Sequence, residues 1–340
     1  MTGFESFVRQ QRNALVPSDF VVSRAEAPAE LCRAAMSEGG VHPVSVADVV
    51  AAAVGRAIGT RKVATVLLSG GADSVFLVSV LQERLPGVRV SAIAAKTKSN
   101  AGEINTARQL CAKHGIEIKV VTPAEADLQQ LLDEFVDAFG RLPRDVAQPL
   151  HNLIVRQAYR ECADALVVDG QYADTLLFAN PQNTYVALWR LFVRNTGLGK
   201  MLRTLGLDGS ASLSDGHVSR LDVLRSLAID EVDLLLWLCR LERSEAVERL
   251  IRELLAAFPL ELAFQSVFYT CLLEYREADK YRMYPDVLSP FRDMALFYDA
   301  WRRPRAYNGL LKRKKPIWSY IDEHYPDLID GVRRRSFEPR

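Results

Sequence analysis

Between residues 45 and 180, short apolar segments alternate with longer helix-patterned ones. That alternation limits the possible folds more than any other feature of the chain. "SVADVVAAAVGRAIG" has helical spacing, with Ser45 placed to cap it. "KVATVLLS" has the length of a buried strand, and "ADSVFLVSVLQERLPG" returns to helical spacing until Pro86-Gly87 stops it. The cycle continues with the strand "VRVSAIAA", the helix "AGEINTARQLCAKHG" closed by Gly115, and the strand "IEIKVVTP". Two helices, "EADLQQLLDEFVDAFG" and "LHNLIVRQAYRECA", then lead to a fourth strand, "DALVVDG". Parallel strands need long crossovers, which helices supply. The pattern therefore predicts an α/β fold, a parallel sheet with helices on both faces.

The flanks read differently. In residues 1–44, "DFVVS" suits one short strand and "PAELCRAAMSEGG" a short helix. From 184 to 300 the pattern is helical, including one long stretch, "SRLDVLRSLAIDEVDLLLWLCRLERSEAVERLIRELLAAF". No internal repeat is visible.

Composition narrows the setting. The 340 residues carry a formal net charge of +1, so no global field draws the chain to nucleic acid or an anionic membrane. A basic segment from Trp301 to Arg340 is the local exception. Five scattered cysteines without a CxxC pair, and five histidines without metal-ligand spacing, argue against a disulfide framework, a zinc site or a redox site. No apolar run has the length of a signal core or a membrane span, so a cytoplasmic setting is expected.

The chemistry is concentrated where the first strand ends, at Ser69-Gly70-Gly71-Ala72-Asp73-Ser74. In open parallel sheets, ligands sit beyond the carboxyl ends of the strands. Gly70 and Gly71 let the backbone approach closely, and the N–H groups entering the next helix can face an anion. Asp73 repels phosphate unless a cation stands between them, which points to Mg²⁺. The spacing is neither the phosphate loop G-x-x-x-x-G-K-[ST] nor the dinucleotide loop G-x-G-x-x-G. A plain strand-to-helix turn capped by Asp73 and Ser74 satisfies the same residues.

All six positions resemble the SGGxDS signature of the PP-loop ATP pyrophosphatases. The resemblance implies an adenine nucleotide α-hydrolase-like fold and cleavage of ATP to AMP and pyrophosphate, with Ser69, Gly70, Gly71, Asp73 and Ser74 around the phosphates. It places the adenine near Ile93 to Lys96. Three later blocks resemble the asparagine synthetase and β-lactam synthetase branch. "VVDGQYADTLLF" matches the second loop SGEGxDE at Gly170 and Asp174, making Asp174 the second Mg²⁺ ligand beside Asp73. It departs at Asp169 and at Gln171, where relatives carry Glu or Tyr. Gln171 cannot take a proton, so its expected role is to hold substrate by hydrogen bonding.

"EADKYRMYPDVLSPFRD" resembles DKxxMAxxxExRxPFLD, with Asp279, Lys280, Pro290, Phe291 and Asp293 in register. Asp286 stands for the family Glu, as candidate base or amine-binding acid, and Leu288 replaces the family Arg. A solvated carboxylate explains Asp286 equally well. "KKPIWSYIDEHYPDLIDGVRRRSF" resembles the family tail, which aligns Lys314 with the lysine that bears on the α-phosphate.

The resemblance implies three parts: an N-terminal extension (1–44), a PP-loop nucleotide-binding domain (45–180) and a mostly helical substrate-binding part (181–340). The glutaminase domain of such relatives is not expected, since Met1 is followed by Thr2 and few residues precede the first helix. The expected activity is an ATP- and Mg²⁺-dependent ligase that adenylates a carboxylate and joins it to an amine or ammonia. Catalytic candidates are Lys314, Asp286 and Gln171. Expected partners are small-molecule or peptide carboxylates and amines, with a separate glutaminase subunit as one ammonia source. Nucleic acid and membrane are not expected partners. A PP-loop enzyme acting on a nucleobase or RNA base, and a degenerate nucleotide-binding protein, stay open.

Overall fold

The structure is a computed structural model that describes residues 6, 15–37, 44–97, 100–145, 147–173, 230–258, 260–307 and 314–328. Residues 174–229, which include Asp174 and the first part of the stretch read as helical from 184 to 300, lie outside the described residues.

Four strands form one parallel sheet: β1 (Val63–Leu67), β2 (Arg89–Ala95), β3 (Glu117–Val121) and β4 (Leu166–Val168), in the order β3-β2-β1-β4. The connecting helices follow the sequence pattern closely. They are α3 (Val46–Ile58), α4 (Ala72–Arg84), α5 (Ala101–His114), α6 (Glu125–Phe139) and α7 (Gln148–Glu161). Ser45 caps α3 as expected, accepting from Asp48 N at 3.3 Å. Preceding these are α1 (Ser18–Val22) and α2 (Glu26–Ser37).

Both faces of the sheet are covered, for a reason visible along the strands. Ala64, Val66, Val90, Ala92, Leu166 and Val168 enter a core shared with α3, α4 and α5. Leu67, Ile93 and Val167 point the other way, onto Val155 and Ala158 of α7. Alternate side chains leave opposite faces of a strand, so two apolar faces require two helical layers.

The C-terminal half supplies α8 (Glu231–Leu238), α9 (Glu245–Ala257), α10 (Leu260–Tyr269), a π-helical turn (Thr270–Glu277), α11 (Ala278–Arg282), α12 (Met294–Arg302), α13 (Pro304–Tyr307) and α14 (Lys315–His324). The stretch read as one long helical run is interrupted between α8 and α9. Arg240 takes a left-handed φ of 53°, Leu241 bridges to Val16, and Ser244 caps α9 by accepting from Val247 N. "DFVVS", expected as a strand, is helical in α1. Val21 is buried in a core shared with α8, α9 and α10. Elsewhere Phe291, Phe297, Ile317, Tyr320 and Ile321 enter the same core as the sheet. Residues near the C-terminus are thereby brought over the carboxyl end of β1. No helix among the described residues is long and apolar enough to cross a membrane.

Candidate active site

Strand order determines where a site can form. β1 continues to β2 and β3 on one side, while β4 lies on the other, so the loops after β1 and β4 leave the sheet side by side. Such a reversal opens a crevice at the carboxyl ends of the two strands. The loop 69–74 follows β1 and the loop from Asp169 follows β4.

Close backbone approach holds the first loop in place. Gly70 has φ +84°, and a Cβ built there would stand 1.9 Å from the Glu103 carbonyl oxygen at the start of α5. Only glycine fits such a contact at that angle. Inside the loop, Ser69 Oγ accepts from Gly71 N at 3.2 Å and lies 3.1 Å from Ser74 Oγ, which donates to the Gly71 carbonyl. Asp73 stands in the first turn of α4. Gly170 closes the crevice from the β4 side. A Cβ there would lie 3.3 Å from Asp73 Cβ and 3.4 Å from Ser74 N.

The third component comes from far along the chain. Lys314, directly before α14, takes a left-handed backbone conformation (φ 50°). Its Nζ donates to both carboxylate oxygens of Asp73, at 2.7 and 2.6 Å. Ser69, Gly70, Gly71, Asp73, Ser74, Gly170 and Lys314 thus come together. Asp73 supplies a carboxylate at a helix start, beside backbone N–H groups. This suits Mg²⁺, which binds through one or two carboxylates and keeps water and phosphate oxygens as its other ligands. Among the described residues no three His, Cys, Asp or Glu converge on one metal position, and Asp174 lies outside them.

Gln171 lies one residue beyond Gly170, with its Oε1 accepting from Lys280 Nζ at 3.1 Å. Lys280 is buried and also pairs with Asp145 at 2.8 Å. Burial pushes the Asp145 carboxyl up, but the Lys280 charge and hydrogen bonds outweigh it and hold the group below its ordinary range. The next residue back, Asp279, is fully buried and accepts from both terminal nitrogens of Arg141, at 2.9 and 2.6 Å. The DK pair of the third block is therefore a structural ion-pair centre behind the second loop.

Asp286 is not brought to this cluster. Leu288 runs parallel to β4, giving its N–H to the Val167 carbonyl while its own carbonyl takes the Asp169 N–H. Two residues earlier, Asp286 must lie toward the amino end of the sheet, away from the loops. It is exposed, and its charge is felt by Tyr159 together with that of Arg61, which precedes β1.

A second cluster was not anticipated. Asp169, buried at the end of β4, accepts from Ser289 Oγ, from Tyr281 Oη at 2.9 Å and from Gln171 N at 3.3 Å. His151 Nε2 stands 3.0 Å from the same carboxylate. Tyr281 sets its ring edge against His151 and stacks on Tyr172, a buried non-glycine residue at φ 70°. The sequence offers one hint, the aspartate where relatives have serine. The contact separations of 18, 112 and 120 residues have no pattern that a linear reading can detect.

The sequence profile of the asparagine synthase family matches residues 45–314. No curated protein matches the chain. Among solved structures, the chain is similar to the NH3-dependent NAD synthetase of Campylobacter jejuni, at 15% identity and TM-score 0.34, covering 67% of this chain and 94% of that one. It is also similar to the NAD+ synthetase of Burkholderia pseudomallei, at 17% identity and TM-score 0.29, covering 69% and 95%. The U34-tRNA thiolase of Methanococcus maripaludis matches at 18% identity and TM-score 0.30, covering 69% and 78%.

Proposed function

The chain belongs to the asparagine synthase family, and from that membership we propose that it is an ATP-dependent ligase that adenylates a substrate carboxylate and converts the acyl-adenylate to an amide. The observation that carries this reading is the meeting of Lys314 with Asp73 at the mouth of the 69–74 loop. A phosphate-binding loop alone suits many reactions. A lysine delivered from 241 residues away onto the loop's carboxylate supplies a cation where an α-phosphate gains charge.

In this reading the loop N–H groups and the hydroxyls of Ser69 and Ser74 bind the β- and γ-phosphates. Gly170 keeps the second loop close enough to share them. The substrate carboxylate attacks the α-phosphate in line, pyrophosphate leaves, and Lys314 steadies the charge on the α-phosphoryl oxygens. Mg²⁺, held by Asp73 and Asp174, supplies neutralisation of the polyphosphate when bound. Gln171, fixed by Lys280, binds substrate without exchanging protons. Ammonia or an amine then attacks the acyl carbon and AMP departs. The nitrogen source is free ammonia, a second substrate or a separate glutaminase subunit.

The test is pyrophosphate release by the full chain with a panel of carboxylic acids and ammonium or amines, with the nucleotide product identified. AMP is expected. ADP as the product would remove the adenylation mechanism.

A further inference from the structure

Gln171 is held at two points. Its backbone N–H is directed to Asp169 Oδ1 at 3.3 Å, and its side-chain Oε1 takes a hydrogen from Lys280 Nζ at 3.1 Å. Lys280 is buried, with Nζ 2.8 Å from an Asp145 carboxylate oxygen. The other oxygen of Asp145 accepts from Ala147 N at 2.9 Å. The ammonium is thus anchored on one side before it meets Gln171 on the other.

This contact decides which way the amide faces. A carboxamide has an acceptor end and a donor end of nearly equal shape. An ammonium carries three N–H bonds and no lone pair, so only the oxygen end can turn toward Lys280. The NH2 end turns away. Among the described residues Nε2 has no hydrogen-bond partner, and it is open to solvent on a half-buried residue. The preceding Gly170 is packed so closely that a Cβ there would stand 3.3 Å from Asp73 Cβ. Gln171 therefore stands at the edge of the crevice between the β1 and β4 loops.

A group that meets an N–H donor must accept. Ammonia or an amine accepts only through its nitrogen lone pair, the pair it needs to attack an acyl carbon. Bound that way it could not react. A carboxylate or carbonyl oxygen accepts and keeps its reactivity.

We propose that the Gln171 amide recognises an oxygen of the acid substrate, and that Lys280, held by Asp145, is the positioning residue that turns the donor end of that amide toward the crevice. The proposal rests on the ligase reading above and names the substrate group and the atom that meets it. The nucleophile is left to another part of the site.

The experiment has two arms. With an acid that supports AMP formation, and ammonium chloride as nitrogen source, the full chain and its variants are compared by KM. Gln171→Leu is expected to raise the KM for the acid about tenfold and to leave those for ammonium and ATP within about twofold. Gln171→Glu, which offers lone pairs where the amide offers hydrogens, is expected to raise the KM for the acid further. The double variant Asp145→Leu/Lys280→Met removes the ion pair without stranding a buried charge and frees the amide to turn. It is expected to raise the same KM about threefold and to leave the KM for ATP unchanged. An unchanged KM for the acid in Gln171→Leu, a rise in the KM for ammonium in its place, or equal rises for acid and ATP in the double variant overturns the proposal. The second arm needs no substrate. The carboxyl introduced by Gln171→Glu is followed by ¹³C NMR with labelled glutamate, alone and combined with the double variant. Beside the Lys280 ammonium it is expected to titrate about one pH unit or more lower than without it. Equal titration overturns the orienting contact. Failure of every acid to yield AMP would overturn the ligase reading instead, and the titration would still decide whether Lys280 faces the side-chain oxygen at position 171.

Discussion

Lys314 Nζ donates to both oxygens of the Asp73 carboxylate, at 2.7 and 2.6 Å, across 241 residues of chain. The contact joins the start of α4 to the start of α14 and closes the crevice between the β1 and β4 loops. Both side chains are mostly shielded from solvent. Each holds the other in position.

Asp73→Asn and Lys314→Ala are each expected to lower pyrophosphate release by about 10²–10³-fold, the cost of removing a group that stabilises developing charge. Lys314→Arg is expected to recover little, because a planar guanidinium does not reproduce the compact ammonium. Steady-state pyrophosphate assays check this, and full activity in Asp73→Asn would remove Asp73 from the metal-binding role.

The two loop glycines are expected to respond differently. Gly70→Ala puts a methyl group 1.9 Å from the Glu103 carbonyl at a left-handed φ, so folding stability should fall by about 2–4 kcal/mol. Gly170→Ala meets Asp73 Cβ at 3.3 Å, which a small shift accommodates. It should cost less than about 1 kcal/mol and act mainly on the KM for ATP. Urea unfolding and ATP titration of the two variants separate the effects. Equal stability loss in both would contradict the packing described.

Asp145 pairs with the buried Lys280 ammonium at 2.8 Å. Asp145→Asn is expected to cost about 3 kcal/mol. The Asp145 carboxyl is held below its ordinary value of 3.8. Its stabilising contribution is therefore complete above that value and is lost as the pH falls through the depressed one. Wild-type chain should lose stability below about pH 4 more steeply than Asp145→Asn does. Unfolding midpoints at pH 7 and across that acid range provide the comparison. Parallel acid profiles would show that Asp145 titrates normally.

Asp286→Ala is expected to change pyrophosphate release by less than about threefold, within the small effects usual for surface substitutions. Its side chain is exposed and lies toward the amino end of the sheet. A loss of two orders of magnitude would return Asp286 to the reacting centre and require a large rearrangement of the 284–289 segment.

The linear pattern was sufficient for much of this. Strand and helix periods between 45 and 168 predicted every element of the sheet layer, because local spacing decides which face of a segment can be buried. The glycine pair before Asp73 marked a turn of close backbone approach, and the resemblance to the PP-loop signature made it a candidate phosphate loop. Resemblance to the family tail favoured Lys314 among its basic neighbours. Local pattern failed at "DFVVS", which is helical with Val21 buried among helices, and the resemblance did not reveal the place of Asp286, which is set by the direction in which Leu288 runs beside β4.

Short-range spacing and residue chemistry in the sequence determined the parallel α/β layering, the loop at 69–74 and the candidacy of Asp73, and the family resemblance supplied the candidacy of Gly170 and Lys314. Only the tertiary structure decided that β4 lies beside β1 and so sets Gly170 against Asp73. Only it turned Asp169 from an unexplained departure into the buried partner of His151, Tyr281 and Ser289. The physical reason is the same in both cases. Strand order and buried hydrogen bonding depend on which distant surfaces exclude water together, and contacts between residues 18 to 241 positions apart have no period along the chain.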